Sequence, residues 1–286
     1  MKYIGLAYAN GAGTIINAIS TWKGAAFGIE LKTTAFVELS DTESHISGQI
    51  AGMPDANTML IEKAVKNVLD RFNMELGGTV ITESEVPLAR GLKSSSAAAN
   101  AVVLATLDAI GKSLDPIEAI KIGVMAAIDA KVTITGAFDD ACASMLGGIV
   151  ITDNKKQEII KRIELEKDVL ILAPNKKMFS LDTNVYNSKL IAPWVDIAYN
   201  LALDGEYENA MVLNGFLYCN ALGINSKPIM QALDVGVKGV SLSGTGPSFV
   251  AMIEKDKIDA LKQVWASCES VSIMHTKINN KSVMDV

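Results

Sequence analysis

The sequence predicts an α+β protein of two successive domains, and three observations carry that expectation. Strand-like runs separated by turn residues fill the first fifty positions, and a helix with a clear apolar stripe follows at 57–72. A short charged stretch, Asp153 to Lys156, separates two apolar blocks. Beyond it the elements read in a β-α-α-β-β-α-β order, close to a ferredoxin-like arrangement with an added helix. The expected division is therefore 1–154 and 155–286.

Taken in order, residues 2–9 read as a first strand, broken by the loop Asn10-Gly11-Ala12-Gly13-Thr14. Ile15, Ile16 and Ile19 then resume an apolar segment. Residues 25–29 and 33–39 read as two strands with turn residues between them, and 45–51 as a shorter one. In 57–72, Leu60, Ile61, Ala64, Val65, Val68, Leu69 and Phe72 recur along one helical face. Gly77-Gly78 punctuates, and 79–83 reads as a strand. A long helix of alanines and leucines starts behind Ser94. A second is announced by Asp115 as cap, Pro116 at the first position and Glu118 in the first turn, and runs to about 129–130. A polar, β-branched stretch, 131–136, leads to a short helix at 138–146, closed by Gly147-Gly148, and a strand at 149–152. The second domain reads as a strand at 169–173, helices at 191–203, 207–222 and 228–235, strands at 239–243 and 248–253, a helix at 256–266 and a last strand at 270–276.

Composition bounds the function. Apolar residues make up 49% of the 286 and charged ones 20%, and mean hydropathy is +0.27, as in a compact enzyme rather than a disordered chain. A net charge of −6 and a pI near 5.1 argue against a nucleic-acid partner. Cys142, Cys219 and Cys268 are scattered and odd in number, which suits structural thiols in a reducing cytoplasm. His45 and His275 are the only histidines, so a histidine-ligated zinc site has no support. The uncharged run from Tyr3 to Trp22 is interrupted by Gly5, Asn10, Gly11, Gly13 and Asn17, and reads as buried strand and loop, with no membrane partner implied.

The stretch PLARGLKSSSAAANA, from Pro87, is the chemical centre of the sequence. Pro87 and Gly91 shape a loop, Lys93 adds a cation, and Ser94, Ser95 and Ser96 open a long helix. The first amides of a helix lack internal partners and its dipole is positive there, so the spot suits phosphate. An ordinary N-cap explains one serine, not three. The pattern is not the G-x-x-x-x-G-K-[ST] loop of other nucleotide enzymes.

It resembles instead the P-x-x-x-G-L-x-S-S-x-A signature of the GHMP kinases. Within them, GLKSSSAAANA and GTIINAI are most similar to the archaeal shikimate kinases. The resemblance covers the whole chain and implies the GHMP fold: an N-terminal α/β nucleotide-binding domain and a C-terminal ferredoxin-like domain. It implies ATP and Mg2+ as cofactors, a small-molecule acceptor such as shikimate, and a nucleotide cradle of Pro87, Leu88, Ala89, Arg90, Gly91, Leu92, Lys93, Ser94, Ser95, Ser96 and Ala97. It adds a late glycine turn at Gly244, Thr245 and Gly246, and leaves a homodimer open. Homoserine or mevalonate kinase, or a nucleotide sensor on the same fold, are the rival readings.

By the same resemblance Asp140, separated from Gly147-Gly148 by the six residues ACASML, is the catalytic base, with Asp139 as fallback. Ser95 and Asp129, eleven residues before Asp140, are the implied metal ligands. The chain departs from the family in the first motif, where ANGAGT holds no lysine. Lys23 is the nearest cation in sequence and is the expected substitute, with a surface role or the substrate carboxylate as its alternatives. Among the three arginines, Arg90 lies in the cradle, while Arg71 and Arg162 read as surface residues. Lys23, Arg90 and Lys177 are the cations open to an acceptor carboxylate.

Overall fold

The computed structural model of the chain describes residues 1–87, 90–175 and 186–284. Two long strands, β1 (Lys2–Ile16) and β2 (Lys23–Ser40), pair antiparallel as its spine. The C-terminal half of β2 also pairs with β4 (Gly77–Ser84), and its start with β5 (Ile149–Asp153). β3 (Ile46–Ile50) runs parallel to β4, and β6 (Glu158–Ile163) continues antiparallel from β5, completing a six-stranded sheet.

The glycines of β1 serve packing, not a loop. The expected break at Asn10–Thr14 is absent: the strand runs through it with a bulge between Asn10 and Gly11. A Cβ on Gly13 would lie 2.3 Å from the Phe27 ring. The turn expected between 25–29 and 33–39 is the other side of the same irregularity, since Asn10 pairs with Lys32 and Gly11 with Ile29. β6 escaped the sequence reading because most of its residues are exposed, so it carries no apolar alternation.

The helices α1 (Met59–Arg71), α2 (Ser94–Ala109), α3 (Pro116–Asp129) and α4 (Phe138–Leu146) pack with this sheet around one apolar core. α2 lies closest because Gly5 has no side chain: a Cβ there would sit 2.1 Å from the Ala105 carbonyl oxygen. Its small residues, among them Ala97, Ala101, Val102 and Ala105, are buried on several sides, as in a helix enclosed by its neighbours.

The second sheet contains β7 (Asp168–Pro174), β8 (Gly239–Leu242), β9 (Phe249–Ile253) and β10 (Val271–Lys277), in the order β10-β7-β9-β8 and antiparallel throughout. This is the ferredoxin-like topology the sequence predicts. A short α5 (Tyr186–Leu190), not expected from the sequence, precedes α6 (Ala192–Leu203), α7 (Tyr207–Leu222) and α8 (Lys227–Asp234). α9 (Ile258–Ala266) links β9 to β10. The turn between β5 and β6 holds the division expected at 154, whereas the chain passes from the first sheet to the second between Ile163 and Asp168.

After β10 the chain returns to the first sheet. Asn279 donates its amide to Gly28 O (3.0 Å) and accepts from Gly148 N (2.7 Å), and Val283 N donates to Met145 O (2.9 Å). Arg162, expected to be a plain surface residue, ties this tail down. Its guanidinium donates to the carbonyls of Gly147 (3.0 Å), Leu146 (2.8 Å) and Asn280 (2.7 Å). Arg71 does lie at the surface, 3.7 Å from Glu118.

Candidate active site

The cradle begins with Pro87, which is half-buried; Leu88 and Ala89 lie outside the described residues. Gly91 has φ +79°, and a Cβ there would be 2.2 Å from Ser243 O, so the position requires glycine on both counts. Arg90 contributes its carbonyl, which accepts from Ser248 N at 3.3 Å, and Leu92 O accepts from Ala12 N at 3.4 Å. Leu92 and Ala97 are themselves core residues.

The serines are not caps. The N-cap of α2 is Lys93, in the left-handed region at φ 62°, with no side-chain cap bond. Ser94, Ser95 and Ser96 occupy the first three helical positions, and the first amide bonded within the helix is that of Ala97, to Lys93 O (3.0 Å). A helix starting this way keeps its amides and its positive end for a ligand.

The glycine turn folds over the cradle. Ser243 Oγ donates to Gly91 O (2.7 Å), Gly244 N donates to Thr14 Oγ1 (2.9 Å), and Asn17 Nδ2 donates to Gly244 O (2.8 Å). Gly246 N closes the turn on Ser243 O (2.9 Å), and Thr245 is buried beside it. Asn17 is in turn held from α7, its amide donating to Asn214 Oδ1 (3.0 Å) and its carbonyl accepting from Tyr218 OH (2.8 Å). Burial pushes the Tyr218 phenol up to about 12, so it stays a neutral donor. Segments far apart in the chain thus meet through β1 and α7.

Opposite the cradle, α4 starts from Ala137, also left-handed at φ 51° and also without a side-chain cap. Asp139 and Asp140 fall in its first turn, and both are buried. Asp140 Oδ2 lies 2.9 Å from Lys93 Nζ, with the side chains only 9% and 11% exposed. Its other oxygen, Oδ1, is buried and takes no hydrogen bond from any described residue. Burial first, and then the charge of Asp139, push Asp140 up to about 7 against the pull of Lys93.

Asp139 is held differently. Its Oδ1 accepts from Asn154 Nδ2 (2.7 Å), while Asn154 Oδ1 accepts from Asp139 N (3.2 Å) and Thr152 Oγ1 (2.7 Å). Gly24 makes room: a Cβ there would meet Asp139 Oδ2 at 2.4 Å. Both acids line the cleft, Asp140 with an unpartnered oxygen and Asp139 tied to Asn154 at the end of β5. Between them and the glycine turn lies a narrow cleft of about 60 Å³, lined also by Asn17, Thr133 and Thr135.

Some expected residues are not brought here. The cation at Asp140 is Lys93, not Lys23, whose Nζ is 2.9 Å from Asp196 Oδ1 with both side chains 45% exposed. Asp129 is exposed at the end of α3 and does not line the cleft. Lys177 lies outside the described residues. Conversely, the sequence reading passed over Asn17, Asn154, Thr133 and Thr135. The one available signal was the density of polar residues in otherwise apolar surroundings at 131–136 and after β5.

Comparison with known proteins bears on the family and the fold. Residues 59–148 match the family model of the GHMP kinases N terminal domain. Proteins named shikimate kinase are 61% identical in Methanococcoides burtonii, over 98% of each chain, and 60% identical in Methanosarcina mazei, over 99% of this chain and 97% of the relative. One from Halobacterium salinarum is 47% identical over 91% of this chain and 92% of its own. Among solved structures, a homoserine kinase from Cytophaga hutchinsonii superposes with a TM-score of 0.75 at 16% identity, covering 98% and 96% of the two chains. The Methanococcus jannaschii mevalonate kinase superposes with a TM-score of 0.76 at 18% identity, covering 96% and 98%. At those identities the structures speak for the fold alone, and the full-length relatives for the family. The chain belongs to the archaeal shikimate kinase family of the GHMP kinases.

Proposed function

We propose that the chain transfers the γ-phosphoryl group of ATP to shikimate, giving shikimate 3-phosphate and ADP. The observation that carries the reading is Asp140 Oδ1, a buried carboxylate oxygen without a partner, across a cleft from the open N-terminus of α2. Phosphoryl transfer needs positioning and charge stabilisation more than covalent help. The amides opening α2 supply fixed dipoles for the phosphates. Asp140 accepts the proton of the acceptor hydroxyl, and a base held near 7 is matched to neutral pH. Lys93, 2.9 Å away, orients that carboxylate and brings a cation to the side where phosphate charge develops. It fills the place of the lysine missing from the first motif.

The donor set suits a magnesium ion that arrives with the nucleotide. Among the described residues no cluster of three carboxylate, histidine or cysteine side chains exists to cage a bare metal. Magnesium that keeps its waters and phosphates needs only one or two protein oxygens. Ser95, half-buried at the second position of α2, would hold it, and the carboxylates lining the cleft are Asp139 and Asp140. The metal would neutralise the phosphate oxygens during transfer.

An assay of ADP release with shikimate, homoserine and mevalonate tests the reading. Turnover is expected with shikimate and ATP. Turnover with homoserine or mevalonate and none with shikimate would overturn it.

A further inference from the structure

A second cavity, of about 700 Å³, opens away from the phosphotransfer cleft, between β1, β2 and the tail that follows β10. It lies on the face of β1 opposite α2: Gly5 meets Ala105, whereas Tyr8, three residues on, lines this cavity. Nothing in the phosphotransfer reading uses it.

Two observations give it a chemistry. Asn10 lines the cavity, is only 4% exposed, and its side-chain amide makes no hydrogen bond with any described residue. The amide is not among the sealed, unpartnered polar atoms of the described residues, so it meets the cavity's solvent and is open to a ligand there. The charges are also unbalanced. The Arg162 guanidinium is occupied by three carbonyls, and Glu164 sits 3.8 Å from it. Among the described residues Lys32 and Lys281 have no carboxylate partner, and Lys32 Nζ rests 4.2 Å from the Tyr8 ring centroid. Two exposed lysines and one exposed acid, Glu30, none with an ion-pair partner among the described residues, therefore line the cavity. An anion satisfies the excess, and the Glu30 carboxylate and the Asn10 amide are acceptors for its hydroxyl groups.

We propose that this cavity is a second small-molecule site, taking a hydroxylated organic anion, separate from the cleft between α2 and α4. The anionic group is a phosphate ester or a carboxylate, which offer the lysines the same charged oxygens.

Isothermal titration calorimetry on the full chain, saturated with a non-hydrolysable ATP analogue, separates the two sites. Glycerol 3-phosphate and citrate are the probes, with glycerol as the neutral control. Binding of glycerol 3-phosphate alone marks a phosphate site and of citrate alone a carboxylate site; either supports the proposal. Lys281→Ala, at an exposed position, is expected to weaken binding about tenfold, the order of one charge-assisted hydrogen bond, and to leave ADP release with shikimate unchanged. Asn10→Asp is expected to weaken it further, because it sets a carboxylate against the anion. No heat from either anion, heat equal to that of glycerol, or binding that survives both substitutions would overturn the site.

Discussion

α2 and α4 begin in the same way and are put to opposite use. Each has a non-glycine N-cap in the left-handed region, Lys93 at φ 62° and Ala137 at φ 51°, and neither N-cap makes a side-chain bond. Such residues cost roughly 1 kcal/mol each in backbone strain, and strain of this kind collects at functional sites. α2 then presents three neutral hydroxyls and open amides, a place for negative charge to arrive. α4 presents two carboxylates, so its positive end is already matched. The difference teaches that a helix N-terminus does not dictate its ligand; the side chains of the first turn do. Lys93 joins the two, capping one helix and pairing with the acid of the other.

The largest expected effect comes from removing the acid. Asp140→Asn should lower kcat by about 10²- to 10⁴-fold, the usual weight of positioned acid–base catalysis, with ATP affinity largely kept. A kcat near wild type would remove Asp140 from the chemistry. The same substitution should stabilise the fold at pH 8. Asp140 keeps its proton in the folded chain up to about 7 but loses it near 3.8 when unfolded, so native stability is full below pH 3.8 and falls as pH rises through 7. Urea unfolding of wild type and variant at pH 5 and pH 8 measures this.

Cutting the link between the helices comes next. Lys93→Met keeps the length and removes the charge, and should lower kcat by about 10²-fold, the order seen when one stabilising donor is lost. Since Lys93 pulls Asp140 down, its loss should move the acid limb of the kcat/KM profile to higher pH. Lys23→Ala is the sharpening control. Lys23 pairs with Asp196 and not with Asp140, so it should spare kcat and act, if anywhere, on KM for shikimate. The reverse pattern would return the catalytic cation to Lys23.

A subtler change separates the two acids of α4. Asp139→Asn removes a negative neighbour that raises Asp140, so the limb near pH 7 should move to lower pH while turnover at pH 8 falls only modestly. An unmoved limb would mean that Asp139 acts only as a tether to Asn154. The smallest effect belongs to the backbone. Ala137→Gly relieves the left-handed strain but loosens the unfolded chain, and the two should leave thermal stability within about 1 kcal/mol of wild type.

Legibility differed sharply between these regions. Around α2 the run of Gly91 and three serines before alanines announced the helix and raised the expectation of an anion site, because loop shape and helix start are local properties. The order of the second sheet was equally open to reading, since its strands are short apolar runs between clear helices. The bulge at Asn10–Gly11 was mistaken for a loop because glycine serves turns and close packing alike. β6 was missed because an exposed edge strand has no pattern to read.

The sequence alone carried the family and the α+β fold class, and it singled out the expected phosphate cradle and Asp140, all of them features of contiguous residues. Which cation meets Asp140, which acid is tied back, and where Asp129 ends up were decided only by tertiary structure. Those choices depend on Lys93 reaching α4, on Asn154 returning from β5, and on the missing side chain of Gly24. Each joins groups brought together by packing, and distance along the chain carries no trace of that proximity.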